Sequence, residues 1–493
     1  MSIMKTLQNH IGGTWTDSHS GSFLDLVNPT TEETIAQLPA GSPDDVDQAV
    51  GAAVAAHTAW AALPVADRVA RIQASAGRIA EHADELAELE YREMGKPVGL
   101  GRMFLDGAIA TLKASAAEAL SYPFEENLSL PDGSRTRILR HPVGVAALIT
   151  PWNFPVPMVL GALGPLLAAG NTVVVKPSER SPLATARLFE LLDLPAGVVN
   201  LVLGDARAGK PLVGHEHVGL VHFTGSVAAG RQVGAESGEL LHRAILELGG
   251  KDPVVVDADV DVAATAQAVA FGAFVNTGQI CTSMERIYVH QDIAEAFVDA
   301  LVEASQAYAM GDGLAEGAMF GPLVDERQRS IVHHHVQDAV SRGATVRTGG
   351  QIPDRLGFFY PATVLTNVDD TMLVMTEETF GPIAPIVVVP TFEEGLKQAS
   401  GTEFGLAATV FTQNPKHMDA ASRIPAGVVW VNQWQGGGPE RLYEPAGASG
   451  MGATGSSAAY DAATRPASTH IAAAPVQEPT ATATAEPVVE ASR

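Results

Sequence analysis

Short apolar runs alternating with amphipathic stretches dominate the middle of the chain. Gly144-Val-Ala-Ala-Leu-Ile-Thr150, Thr172-Val-Val-Val-Lys176, Val198-Val-Asn-Leu-Val-Leu203 and Leu220-Val-His-Phe-Thr224 are strand-length. Between them lie helical segments around 156–169, 182–193 and 206–215. Strand, helix, strand at this spacing predicts parallel crossovers and a doubly wound sheet. A second series starts near Pro253-Val-Val-Val256 and continues through Glu285-Arg-Ile-Tyr-Val289, Ile386-Val-Val-Val389, Ala408-Thr-Val-Phe411 and Val428-Val-Trp-Val-Asn432. The pattern therefore predicts an α/β chain of two doubly wound lobes, joined near Leu248-Gly-Gly250, with a crevice between them.

Before these lobes the period differs. Residues 8 to 40 read as short strands and turns, with Asn28-Pro29 as a loop. At Ser42-Pro-Asp-Asp45 a helix begins: Ser42 is the N-cap, Pro43 takes the first position and acids fill the first turn. Helical spacing continues to Trp60. A second helix is predicted from Val65 to Met94, stopped by Gly95-Lys-Pro97, and a third from Gly99 to Leu120. Residues 121–140 are polar, with Pro131-Asp-Gly133 as a hairpin turn suited to reaching a neighbouring subunit. The final stretch, 473–493, has an Ala/Thr/Pro/Glu/Val composition without periodicity and is expected to be a disordered tail.

Composition narrows the function classes. At 493 residues, two or three lobes are expected. The formal charge of -25 argues against nucleic acid and anionic membranes as partners. No run approaches the roughly 18 apolar residues of a membrane helix. A single cysteine excludes an intramolecular disulfide framework and disfavours a zinc site. His333, His334 and His335 have no second ligand cluster, so they are expected on a solvated helix face and no metal is expected. With no signal-peptide core at the N-terminus, the expected location is cytoplasmic.

That one cysteine, Cys281, follows Asn276-Thr-Gly-Gln-Ile280. It is either a small buried hydrophobe or a nucleophile. Four other stretches bear on the choice. Asn153, in Thr150-Pro-Trp-Asn-Phe-Pro155, follows a strand at the end where open α/β sheets bind ligands. Its amide either donates to a developing oxyanion or bonds its own loop. Lys176-Pro-Ser-Glu179 places a lysine and a carboxylate where an adenosine ribose would lie. Phe223-Thr-Gly-Ser226 offers backbone and hydroxyl to a pyrophosphate. Glu247 continues an apolar strand; it is a buried structural acid, or a general base whose pKa burial raises.

In order and at matching spacing, Pro151-Trp-Asn-Phe-Pro155, Phe223-Thr-Gly-Ser226, Glu247-Leu-Gly-Gly-Lys251, Gly278-Gln-Ile-Cys281 and Glu377-Glu-Thr-Phe-Gly-Pro382 resemble the aldehyde dehydrogenase superfamily. The likeness runs from Ile11-Gly-Gly-Thr-Trp15 to Ser449-Gly450-x-Gly452. It implies Cys281 as nucleophile, Asn153 with the Cys281 backbone N–H as oxyanion hole, and Glu247 as general base. Lys176 and Glu179 match adenosine-ribose contacts. Trp152, Gly225 and Ser226 line the adenine and pyrophosphate path, Glu378 and Phe380 match nicotinamide-side contacts, and Ser178 and Leu248 are further cofactor-binding positions. NAD is implied, with NADP as the other cofactor; Glu179 favours NAD because a carboxylate repels a 2′-phosphate. The resemblance divides the chain into a cofactor domain (1–120 and 140–248), a catalytic domain (249–445) and oligomerisation β segments (121–139 and 446–472). A homodimer or homotetramer is implied.

Departures cluster near the C-terminus. Glu444-Pro445 stands where the family usually has Gly-Gly, Thr454 stands where many members have glutamate, and the loop 433–441 is unusual. Phe154, Met158 and Tyr443 are expected to line the substrate path, favouring an aromatic or medium aliphatic aldehyde. The expected activity is oxidation of that aldehyde to the acid through a cysteine thiohemiacetal and thioester. The rivals are a CoA-acylating enzyme and a catalytically retired cofactor-binding scaffold.

Overall fold

The computed structural model describes residues 5–311, 313–315, 317–437 and 441–473. The chain divides into a large unit, Met1–Tyr122 with Pro142–Thr464, and a small one, Pro123–His141 with the chain from Arg465.

The large unit contains the two expected doubly wound sheets. The first has eight strands in the order Gly450–Met451, Arg243–Glu247, Val218–Thr224, Val145–Ile149, Thr172–Lys176, Val199–Leu201, Asn9–Ile11 and Thr14–Thr16. Its five central strands are parallel. Their register aligns one end of the sheet: Ile149 lies opposite Lys176 and Phe223, and Thr224 opposite Glu247. Chain order reverses beside Val145–Ile149, since later strands build outward on its two sides. That is the switch point at which such sheets hold ligands. The second sheet runs Thr345–Thr348, Thr363–Thr366, Ile383–Val389, Arg286–His290, Pro253–Val256, Ala407–Phe411 and Val428–Val431. Its strands are parallel except at the first pair.

Six helices matter for the site: α1 (Pro43–Ala61), α2 (Val65–Glu81), α3 (Ala83–Met94), α4 (Val98–Glu118), α5 (Pro155–Ala168) and α6 (Leu183–Leu191). Helix α1 starts as its sequence dictates, with Ser42 Oγ accepting the Asp45 N–H. The single helix expected from Val65 to Met94 is instead two. The break falls at His82, which has φ −114° and ψ 14°. Apolar spacing carries through it (Ile79, Ala83 and Leu86 are all buried), so no periodicity marks the kink. A second correction concerns the histidine run. His334 is exposed, but His335 is buried on the same face as Val332, Val336 and Ala339 and bonds Thr379 Oγ1 through Nδ1 at 3.2 Å. Among the described residues no histidine, cysteine or acid cluster is arranged for a metal.

The small unit is a three-stranded sheet of Glu125–Ser129, Arg135–Pro142 and Thr464–Ile471. Its hairpin turns at Pro131-Asp-Gly133, where Gly133 has φ +79° and Asp132 Oδ1 accepts the Ser134 N–H at 2.9 Å. The segment 446–464, placed with these strands on sequence, lies in the large unit. There Ala446–Gly447 pairs with Phe404–Gly405, and Gly450–Met451 pairs with Arg243–Glu247. The tail expected over 473–493 lies, apart from Ala473, outside the described residues. No helix among the described residues is long and apolar enough to cross a membrane.

Candidate active site

The aligned strand ends open onto a cavity of about 810 Å³. Cys281, Asn153, Trp152, Phe154, Met158, Lys176, Ser178, Glu179, Gly225, Ser226, Leu248, Glu378 and Phe380 all line it. Glu247 and Tyr443 do not. Glu247 points to the neighbouring turn instead, where its Oε1 accepts from Thr454 Oγ1 at 3.2 Å and the Tyr443 hydroxyl also bonds it. Tyr443, expected along the substrate path, therefore sits as a partner of the carboxyl.

The thiol rests on an unusual piece of backbone. Asn276, Thr277 and Gly278 have φ of +54°, +58° and +68° in succession. For the two non-glycines this costs roughly 1–2 kcal/mol each. Buried bonds hold it. Thr277 Oγ1 donates to the Gly321 carbonyl at 2.9 Å and accepts the Gly321 N–H at 3.1 Å. Gln279 Oε1 accepts the Val324 N–H at 2.9 Å. At Gly278 a Cβ would run into the Gly381 carbonyl. Asn153 joins the same loop, its Nδ2 donating to the Gln279 carbonyl at 2.9 Å. The amide is thus pinned two residues from the sulfur, with a second amide hydrogen still to donate.

Electrostatics around the sulfur are acidic. Burial pushes the Cys281 thiol above its ordinary value, and the carboxylates of Asp252, Glu378 and Glu247 push it further. Burial lifts Glu247 to about 8, against the lowering effect of its Thr454 and Tyr443 bonds. Glu378 is likewise lifted to about 8 by burial, with Glu285 adding to it.

The other end of the cavity fits a dinucleotide. Lys176 Nζ is held by the Pro177 and Gly204 carbonyls at 2.8 and 2.7 Å, with Glu179 at 3.9 Å. Ser226 caps the helix Val227–Glu239, whose N-terminus meets the cavity; such a terminus favours phosphate. Glu378 sits on Gly249, its Oε1 accepting the Gly250 N–H at 3.0 Å. Phe380, at φ +50°, lies edge-on to Trp152 with centroids 5.3 Å apart.

Sequence reasoning missed what holds that last pair. Glu285 accepts the N–H groups of Thr379 and Phe380 at 2.9 and 2.8 Å, and Lys251 Nζ at 2.6 Å. A Glu-Arg pair opening an apolar strand was the available signal. Gln328 Nε2, donating to the Thr379 and Phe380 carbonyls, had none. The unusual loop after Asn432 also reaches the site. Trp434 Nε1 donates to the Thr282 carbonyl at 3.0 Å, and Gln435 Nε2 to Thr282 Oγ1 at 2.5 Å. Trp434 packs with Phe271, Phe104 and Met158 around Phe154, Val275 and Ile280.

The model of the aldehyde dehydrogenase family matches residues 15–468. The chain is 37% identical over 440 residues to the peroxisomal aminoaldehyde dehydrogenase 1 of Pisum sativum, covering 86% of this chain and 88% of the relative. It superposes on the betaine aldehyde dehydrogenase of Staphylococcus aureus in complex with NAD+ with a TM-score of 0.91, at 29% identity and 95% coverage of each chain. For an indole-3-acetaldehyde dehydrogenase, also with NAD+, the TM-score is 0.92 at 33% identity, covering 96% of this chain and 97% of that one. With a family model spanning most of its length and relatives this similar end to end, the chain belongs to the aldehyde dehydrogenase family.

Proposed function

We propose that this protein oxidises an aldehyde to the carboxylic acid with NAD+, and less readily with NADP+. The observation that carries the reading is one cavity lined by Cys281, by an asparagine pinned to the same loop, and by the Glu378–Phe380 turn. NAD+ supplies the hydride acceptor when bound. Lys176, Ser178 and Glu179 would hold its adenosine ribose, Gly225, Ser226, Trp152 and Leu248 its phosphates and adenine, and Glu378 and Phe380 its nicotinamide side. Glu247 takes the Cys281 thiol proton and later passes it to solvent; the sulfur attacks the carbonyl carbon, and Asn153 Nδ2 with the Cys281 N–H holds the oxyanion. Loss of hydride leaves a thioester on Cys281. Glu247, near enough to Cys281 to raise its thiol, leaves its Thr454 bond to take a proton from the water that attacks the thioester, the C–S bond breaks, and the acid departs. In this reading residues 1–120 and 140–248 form the cofactor domain and 249–445 the catalytic domain, and the small sheet serves a homodimer or homotetramer in the cytoplasm.

For substrate, the apolar group of Phe154, Met158, Phe271 and Trp434 supports an aromatic or medium aliphatic aldehyde. An aminoaldehyde is the second reading. Relatives carry that name, and aromatic rings also receive ammonium groups. NADH absorbance over benzaldehyde, hexanal and 3-aminopropanal, with and without CoA, tests the whole reading. Acid formed without CoA is expected, fastest on the first two. A strict CoA requirement, or NAD+ binding with no turnover on any aldehyde, overturns it. Cys281→Ala should abolish oxidation and leave NAD+ affinity nearly intact.

A further inference from the structure

Two helices that begin beside the cavity have N-termini that their own N-caps leave open. Helix α5 follows the Asn153 loop and is preceded by Phe154; helix α6 follows the Ser178–Arg180 loop and is preceded by Pro182. Neither Phe154 nor Pro182 makes a side-chain cap. The missing acceptors come from α3. Glu90 Oε1 accepts the Val156 N–H at 3.3 Å, and the Glu93 carboxylate accepts the Leu183 N–H at 2.5 Å and the Ala184 N–H at 3.2 Å. Both acids are fully buried. Glu90 also pairs with Lys96 at 2.7 Å, and neither side chain is exposed at all. The Lys96 ammonium lies 4.4 Å over the centre of the Phe154 ring, so the pair grips both the start of α5 and an aromatic wall of the cavity.

A fully buried ion pair is weak evidence of stabilisation, because desolvation offsets its attraction. Position is what this arrangement supplies. Acids at helix N-termini satisfy open N–H groups; burial pushes the Glu93 carboxyl well above its usual range, so it acts through these hydrogen bonds rather than through charge. The two acids, three residues apart on one helix, brace the two cavity-lining loops separately. We propose that α3 is a strut with two independent positioning functions: Glu90–Lys96 fixes the Asn153–Phe154 loop, and Glu93 fixes the Ser178–Arg180 loop. The inference rests on the dehydrogenase reading above. It assigns the first function to the chemical step and the second to NAD+ binding.

The two halves separate in kinetics. Glu90→Leu/Lys96→Met removes both charges together, so no unpaired ion remains to unfold the chain. Its kcat should fall on the order of tenfold to a hundredfold, the scale of a misplaced catalytic group, with KM for NAD+ unchanged. Glu93→Leu should raise KM for NAD+ severalfold with kcat kept, and Glu93→Gln, whose amide keeps one of the two accepting oxygens, should restore it in part. The full-length enzyme is assayed with wild type in parallel, and thermal melting is recorded for each variant. A wild type inert on every aldehyde sinks the dehydrogenase reading itself. An active wild type beside an α3 double variant of normal kcat overturns the strut, as do variants that melt earlier but keep both kinetic constants.

Discussion

Replacing Glu247 by glutamine should change stability and chemistry in a linked, pH-dependent way. Glu247 has a folded pKa of about 8 against an ordinary 4.5, because burial penalises the charged form. The unfolded chain therefore loses its proton near 4.5 while the folded chain keeps it until about 8. In that window the native state holds more protons, so this carboxyl makes stability fall as pH rises. At about 1.4 kcal/mol per pH unit, the cost is about 1 kcal/mol at pH 5 and about 4 at pH 8, levelling near 5 above that. Glutamine keeps an oxygen for Thr454 and Tyr443 and cannot ionise. Its advantage over wild type should grow by those amounts. Glu378, shifted the same way, is present in both proteins and cancels in the difference. Urea unfolding at pH 5, 6.5 and 8, at fixed protein concentration, measures it. The same proton governs hydrolysis. Wild-type deacylation should climb with pH toward about 8, whereas Glu247→Gln should accumulate acyl-enzyme visible by mass spectrometry at every pH. A stability difference that stays flat from pH 5 to 8, or a glutamine variant with wild-type steady-state rate, would refute both the burial argument and the assignment of the base.

Three further outcomes follow from the loop and its acidic surroundings. Gly278→Ala should cost about 2–4 kcal/mol and abolish turnover, since its Cβ must displace the Gly381 backbone from a residue at φ +68°; a variant with wild-type melting and activity contradicts this. Alkylation of Cys281 by iodoacetamide should rise with pH through 10 without a plateau, because burial and three carboxylates disfavour the thiolate, and saturating NAD+ should speed it by bringing a cation into their field. A plateau near pH 8 in the free enzyme would remove that account. Trp434→Phe keeps an aromatic ring near Phe271 but loses the bond to Thr282, so about 1 kcal/mol, or fivefold in kcat/KM, should go; equal kcat/KM would show that the loop does not act on the nucleophile's neighbour.

The strand ends and their motifs were legible because parallel sheets leave little freedom. Apolar runs between helices fix which ends face one way, and the register then brings Ile149, Lys176, Thr224 and Glu247 into line. The side chains following them had to meet near one edge. Less legible was the direction of Glu247, which turns to Thr454 and Tyr443 rather than into the cavity. That depends on the antiparallel pairing of Gly450–Met451 against Arg243–Glu247, a two-residue strand too short to show periodicity. The same limit hid the pairing of Ala446–Gly447 with Phe404–Gly405. The left-handed run at Asn276 and Thr277 was also hidden, since only Gly278 announces a positive φ in composition.

Glu90 and Glu93 show why supporting residues are harder to read than reacting ones. Along α3 they stand among Asp84, Glu85, Glu88 and Arg92, and a charge-rich helix normally means a solvated face. Their burial follows from their place on the apolar face of α3, four and seven residues after the buried Leu86. Their function follows from two N-termini that lie 66 and 90 residues further along the chain. A catalytic side chain carries its signal in its own chemistry and neighbours in sequence. A carboxylate that caps another helix carries its signal in the partner: Phe154-Pro155 and Pro182-Leu183 open helices with no capping side chain, so each demands an acceptor from elsewhere. An uncapped helix start beside a proposed site is therefore a sequence-level reason to look for a buried acid, and α3 supplies two.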